Sequence, residues 1–196
     1  MERARLADAM SEHAHSFPKH LEAVVEFVNT LVMNEERVDE RLASPEALST
    51  FIAEHDLGEV QAKPADLRRA HELREALRAL MLANNGRAPD ADAIEKLNRA
   101  AARAKVLAAF DDRASWRIEP AADGVDRAFG RMLASVFQAM SDGDWARMKA
   151  CGNPDCRWAF FDASKNRSGR WCDMASCGNR MKARAFRERA RKAAQE

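Results

Sequence analysis

Four cysteines are the residues of this chain whose types and spacing could do chemistry together. Cys151 and Cys156 form one Cys-x4-Cys pair, Cys172 and Cys177 form a second, and 15 residues lie between the pairs. The chain contains no other cysteine. Two close thiol pairs separated in this way suit a metal, and zinc prefers four soft ligands in a tetrahedron. Four thiolates close the coordination sphere, so one structural Zn²⁺ per chain is expected, with no position left for a catalytic water. The site would carry a formal charge of about −2, which Arg157, Lys165, Arg167, Arg170 and Arg180 are close enough in sequence to offset. Gly152 and Gly178, each directly after a cysteine, are expected to allow tight turns that aim N–H groups at sulfur.

The segments around the ligands must hold them in place. "RWAFFDASKNRSGRW" between the pairs reads as an apolar strand, a Ser/Asn/Gly turn and a return strand at Arg170–Trp171. "CGNRMKARAFRERARKA" has no proline and many strong helix formers, so the last ligand falls near the first turn of a helix. Knuckle, hairpin and helix in that order make a treble-clef-like zinc finger. A tail of this size sits near the limit below which a metal staple is needed. Trp158, Phe160, Phe161 and Trp171 supply its small core and a seam. Trp145, Met148, Trp158 and Phe186 offer more apolar surface than the finger can bury, so it is expected to pack on the rest of the chain.

Upstream, helical periodicity dominates. Leu21, Val24, Val25, Val28, Leu31 and Val32 place "LEAVVEFVNTLV" on one amphipathic helix. Ser44 caps a second helix with Pro45 at its first position and Leu48, Phe51 and Ile52 inward. A third starts near Pro64, carries Leu67, Ala70, Leu73, Leu77, Leu80 and Met81, and stops at Asn84-Asn85-Gly86. A fourth begins near Asp90 with Ile94 and Leu97 inward. Alternation at Val106, Ala108 and Phe110, and again at Trp116 and Ile118, predicts a β-hairpin. Asp123 then caps a helix striped by Val125, Phe129, Leu133, Val136, Phe137 and Met140, and "SDGD" (Ser141–Asp144) ends it. The fold class is therefore mostly α (α+β): a helical domain over 1–144 with a small hairpin, then the finger and basic helix over 145–196.

Charge is distributed unevenly. The whole chain is +1, but residues 151–196 hold 11 Lys/Arg against 5 Asp/Glu, so the tail is basic and the remainder acidic. Arg180, Arg184, Arg187 and Arg191 share one helical face, with Lys182 and Arg189 flanking. Such a stripe suits a phosphate backbone, and Lys165, Asn166, Arg167 and Arg170 in the turn could add contacts to phosphates and base edges. DNA is the favoured partner. RNA, or a protein partner of a zinc-stabilised module, stays open, as does a homodimer formed by the N-terminal domain. Asn29, polar within an apolar helix, either bonds within the fold or lines a ligand pocket, and packing is favoured.

Other chemistries lack their residues. There is no Gly-rich phosphate loop, no Gly-x-Ser-x-Gly, no His-Glu-x-x-His and no tyrosine, so a non-enzyme is expected. His13, His15 and His20 lack a completing ligand set and read as a leader; His55 and His71 read as packed histidines. No run approaches the roughly 20 apolar residues of a membrane span. The opening "MERARLADAMSEHAHSF" lacks an apolar stretch, so a cytoplasmic, reducing compartment is expected.

"CGNPDCRWAFFDASKNRSGRWCDMASCGNRMKARAFR" resembles the CGNR zinc finger, named for the residues here at Cys177, Gly178, Asn179 and Arg180. The family's "DxSKNRSRRWC" core is matched at Asp162, Ser164, Lys165, Asn166, Arg167, Ser168, Arg170, Trp171 and Cys172, with Gly169 in place of an often basic residue. In that family the finger follows a domain called ABATE. "EFVNTL" (Glu26 to Leu31) is similar to its opening motif, usually read with Asp where this chain has Glu26. The resemblance implies a stress-induced transcription regulator that binds zinc.

Overall fold

The computed structural model describes residues 17–33 and 38–195. His13 and His15 lie outside the described residues. A 3-10 turn at Lys19–Leu21 leads into α1 (Glu22–Val28), and then β1 (Leu31–Met33) pairs antiparallel with β2 (Val38–Glu40). Three helices follow: α2 (Pro45–Glu54), α3 (Pro64–Asn84) and α4 (Ala91–Ala104). A hairpin of β3 (Val106–Phe110) and β4 (Trp116–Pro120) precedes α5 (Gly124–Asp142). The tail holds β5 (Met148–Ala150), β6 (Ala159–Phe161), a π turn at Met174–Gly178 and α6 (Asn179–Ala193).

The helix expected over residues 21–32 ends at Val28. The Thr30 hydroxyl donates to the Phe27 carbonyl at 2.7 Å, and Arg41 N–H donates to Thr30 O at 2.9 Å. These local bonds divert the backbone into a strand before Leu31 and Val32 can extend the helical stripe. Ile94 and Met140, expected inward, are 44% and 41% exposed. The buried side of α4 runs instead through Ala93 and Ala104, with Leu97, Ala100 and Ala101 half-buried.

The core forms between α1, α2, α3 and α5. The Phe27 ring meets those of Phe51 and Phe129 at centroid distances of 5.6 and 6.3 Å. This cluster continues without a break into Trp145, Met148, Ala150 and Ala159, so the finger's strands complete the same core. Gly130 makes the seat of the β3–β4 hairpin: a Cβ there would lie 2.4 Å from Pro120 Cβ and 2.8 Å from Ala104 Cβ. No helix among the described residues is long and apolar enough to cross a membrane.

Candidate metal centre and the basic face

The fold gathers all four cysteines, with their sulfurs within 4.8 Å of one another. Cys156 Sγ is 3.6 Å from Cys172 Sγ, and Cys172 Sγ is 3.8 Å from Cys177 Sγ. A tetrahedron of Zn–S bonds near 2.3 Å has edges of about 3.8 Å, so these separations fit zinc. The side chain of Asn153, buried in the knuckle, donates to Cys177 Sγ at 3.6 Å. Cys151 and Cys177 are buried, while Cys156 and Cys172 are half-buried.

Crowding four sulfurs splits their acidities. Hydrogen bonds from Cys156 and Cys172 hold the Cys151 thiol down, and those from Cys151, Cys156 and Cys172 hold Cys177 far down. Bonding to the ionised Cys151 pushes Cys156 and Cys172 far up. Four thiolates at this spacing need a cation among them. The protein holds one structural zinc ion through Cys151, Cys156, Cys172 and Cys177.

Local chemistry builds the first knuckle around Asn153, whose carbonyl accepts from Cys156 N–H at 3.0 Å and Arg157 N–H at 3.1 Å. Arg157 itself is left-handed at φ 53°. At the second pair, the Asp173 carboxylate caps the π turn by accepting from Ser176 N–H at 2.6 Å. Gly152 and Gly178 are needed for closeness rather than for positive φ, which corrects the tight-turn expectation. A Cβ on Gly152 would lie 3.0 Å from the Trp171 ring, and one on Gly178 would lie 2.5 Å from Met174 Sδ.

The return strand expected at Arg170–Trp171 does not form. β6 pairs with β5, which precedes the first cysteine, and residues 162–170 form a loop around a buried ion pair. Lys149 Nζ donates to Asp162 Oδ2 at 2.7 Å, Arg167 O at 2.6 Å and Gly169 O at 3.0 Å. The Asp162 carboxylate also accepts from Ser164 N–H at 3.0 Å and Gly169 N–H at 2.8 Å. Burial alone would raise the Asp162 pKa, but Lys149 and these donors hold it down at about 2. Gly169 is where the family often has a basic residue, and a Cβ there would lie 2.8 Å from Asp162 Oδ1.

Several polar residues dock the finger on the helical domain. The Asn29 side chain donates to Ala159 O at 3.0 Å and accepts from Ala159 N–H at 2.8 Å. It therefore satisfies the outer edge of β6 as a neighbouring strand would, and does so while 5% exposed. Asn29 is thus a stitch within the fold. Asn84 donates to the Trp145 and Met148 carbonyls, and Asn85 to those of Ala150 and Arg170. Arg78, 2% exposed, donates to Arg157 O at 2.7 Å and Val28 O at 2.6 Å. Within the helical domain itself, Arg74, 3% exposed, forks onto the Glu40 carboxylate at 2.7 Å through both terminal nitrogens. Neither arginine was anticipated. Their sequence signal is position, since Arg74 and Arg78 interrupt the apolar stripe of Ala70, Leu77 and Met81.

The basic residues are presented outward. Lys165, Asn166 and Arg167 sit in the exposed loop, and Arg170 is exposed at its end. All of α6 is exposed except the half-buried Met181, including Arg180, Lys182, Arg184, Arg187 and Arg191. Arg184 pairs with Glu188 at 3.3 Å and approaches Asp155 at 3.9 Å. Phe186, expected to pack on the helical domain, is 66% exposed. Among the described residues, no hydrogen bond or ion pair joins the 162–170 loop to α6.

The CGNR zinc finger model matches residues 147–190. A second family model, ABATE, carries the description "Putative stress-induced transcription regulator" and matches residues 21–143, more than half of the chain. No curated protein matches it.

Proposed function

The chain belongs to the ABATE family and ends in a CGNR zinc finger, and from that premise we propose that it is a non-catalytic, cytoplasmic regulator of transcription whose finger and α6 contact DNA. One observation carries the reading: the 15 residues of α6 bury no side chain. Seven of them are Lys or Arg and one is Glu. Helices in folded proteins draw most of their stability from packing one face. A helix that buries no side chain and carries this charge is suited to a phosphate backbone. The Lys149–Asp162 pair supports the same reading, because it holds out a loop carrying Lys165, Asn166 and Arg167.

The test is to replace Arg184, Arg187 and Arg191 by Ala and measure binding to a mixed-sequence DNA duplex over a salt series. Each lost phosphate contact lowers the slope of log K against log salt by about 0.9, so a decrease of roughly 2 to 3 is expected. The lower end applies if Asp155 and Glu188 hold Arg184 away from the phosphates. Zinc content and thermal stability should not change, since all three residues are exposed and none is a ligand. Equal binding by variant and parent at every salt concentration overturns the proposal. Phe186, on the side of α6 opposite the arginine stripe, favours the second reading, a protein partner. Only that reading predicts that Phe186→Ser abolishes capture while the triple variant retains it.

A further inference from the structure

We propose that the β3–β4 hairpin is a self-association surface, through which two copies of this chain pair β3 against β3 in antiparallel fashion around Ala108. The inference does not depend on what α6 binds. The phase of the hairpin's hydrogen bonds decides which groups of β3 face outward. At the tip Asp111 N–H donates to Ser115 O at 2.8 Å, and at the base Ala121 N–H donates to Lys105 O at 3.1 Å. With the register Phe110↔Trp116, Ala108↔Ile118 and Val106↔Pro120, alternate pairs are hydrogen-bonded, so these three are not. The N–H and C=O groups of Val106, Ala108 and Phe110 therefore point away from β4. Pro120, which has no N–H, falls on one of the non-bonded positions as this phase requires.

Among the described residues the outer edge of β3 is bare: the sheet has two strands there, and Leu107, Ala108 and Phe110 are exposed. Among the described residues no side chain bonds to the outward groups of Val106, Ala108 or Phe110. The strand reads "VLAAF", with no charge, no proline and no bulge among its five residues. Such an edge attracts another strand unless it is covered. Next to it, Phe110 is 81% exposed, Leu107 55% and Trp116 47%.

Self-pairing fits this edge for three reasons. With Ala108 opposite the partner's Ala108, Phe110 falls opposite Val106 and Leu107 opposite Ala109, so each large side chain faces a smaller one. No like charges meet across the axis, because β3 carries no charged residue. The tip is also preformed: the Asp111 carboxylate accepts from Arg113 N–H and Ser115 N–H, each at 2.9 Å. The three apolar side chains offer on the order of 300–400 Å² per copy. That is well under the roughly 800 Å² per partner of a standard interface, so the dimer should be weak and concentration-dependent.

Sedimentation velocity on the full zinc-loaded chain, from about 1 to 300 µM, tests this. A monomer–dimer equilibrium is expected, with Phe110→Lys raising its dissociation constant by about 100-fold or more. Ala108→Pro removes an outward N–H and no ladder hydrogen bond, so it should leave the hairpin paired and block association to a similar degree. Both variants should keep the parent's zinc content and circular dichroism. A parent that stays monomeric across the range overturns the proposal. So does a dimer that Phe110→Lys leaves intact.

Discussion

Replacing Asn29 by Ala isolates the coupling between the helical domain and the finger. The substitution deletes one side chain from α1's end, 130 residues from its partner in sequence, and leaves every zinc ligand in place. Two hydrogen bonds disappear, and they orphan the N–H and C=O of Ala159, which is 1% exposed. Each buried backbone group left unpaired costs about 1–3 kcal/mol. Water reaching the gap from the Asn29 side, 5% exposed in the parent, recovers part of that, so a net loss of about 3 kcal/mol is expected. The assay is urea unfolding at fixed free zinc, followed through tryptophan fluorescence, to which the buried Trp145 contributes. Asn29→Asp keeps one acceptor for Ala159 N–H but aims a carboxylate oxygen at Ala159 O, so it should be no better than Ala. A loss below about 0.5 kcal/mol for Asn29→Ala would show that Asn29 does not stitch β6 to α1.

Lys149→Met leaves the Asp162 carboxylate buried without its cation, and should destabilise by about 3–5 kcal/mol, measured by the same unfolding assay. Double replacement of Lys149 and Asp162 by Met and Leu should recover much of that loss while still freeing the 162–170 loop to proteolysis. Gly130→Ala forces a methyl against Pro120 and Ala104, two groups with no rotamer to yield. A cost of about 1–3 kcal/mol in thermal unfolding is expected. Chelating the zinc, or Cys172→Ser, should abolish the helical signal of α6, which packs nothing else, while α3, α4 and α5 persist by circular dichroism. Zinc affinity should weaken as pH falls from 7 to 5, because thiolate ligands must then compete with protons.

The metal centre was legible in the sequence because its code is local. Cys-x4-Cys pairs and the glycines beside them depend on a few residues of covalent spacing, and so do the cap at Ser44, the stop at Asn84-Asn85-Gly86 and the β3–β4 hairpin. The misread elements are those where distant partners overruled local period. Leu31 and Val32 continue a helical stripe, yet Thr30 turns the chain and Glu40's strand captures them. "RWAFF" does contain a strand, but its partner is Met148–Ala150 rather than Arg170–Trp171, because Lys149 and Asp162 organise the intervening loop. Asn29, Asn84, Asn85, Arg74 and Arg78 look in sequence like an ambiguous polar residue, a helix stop and surface cations. Only the tertiary structure makes Arg74 a buried brace on Glu40, and the other four the polar seam between finger and helical domain. The exposure of α6 and the bare edge of β3 were likewise undecided, since an Arg-rich helix and an apolar strand have the same sequence whether covered or open. Residue type and spacing determine which atoms can bind a metal or cap a helix, while burial depends on what the rest of the chain brings alongside.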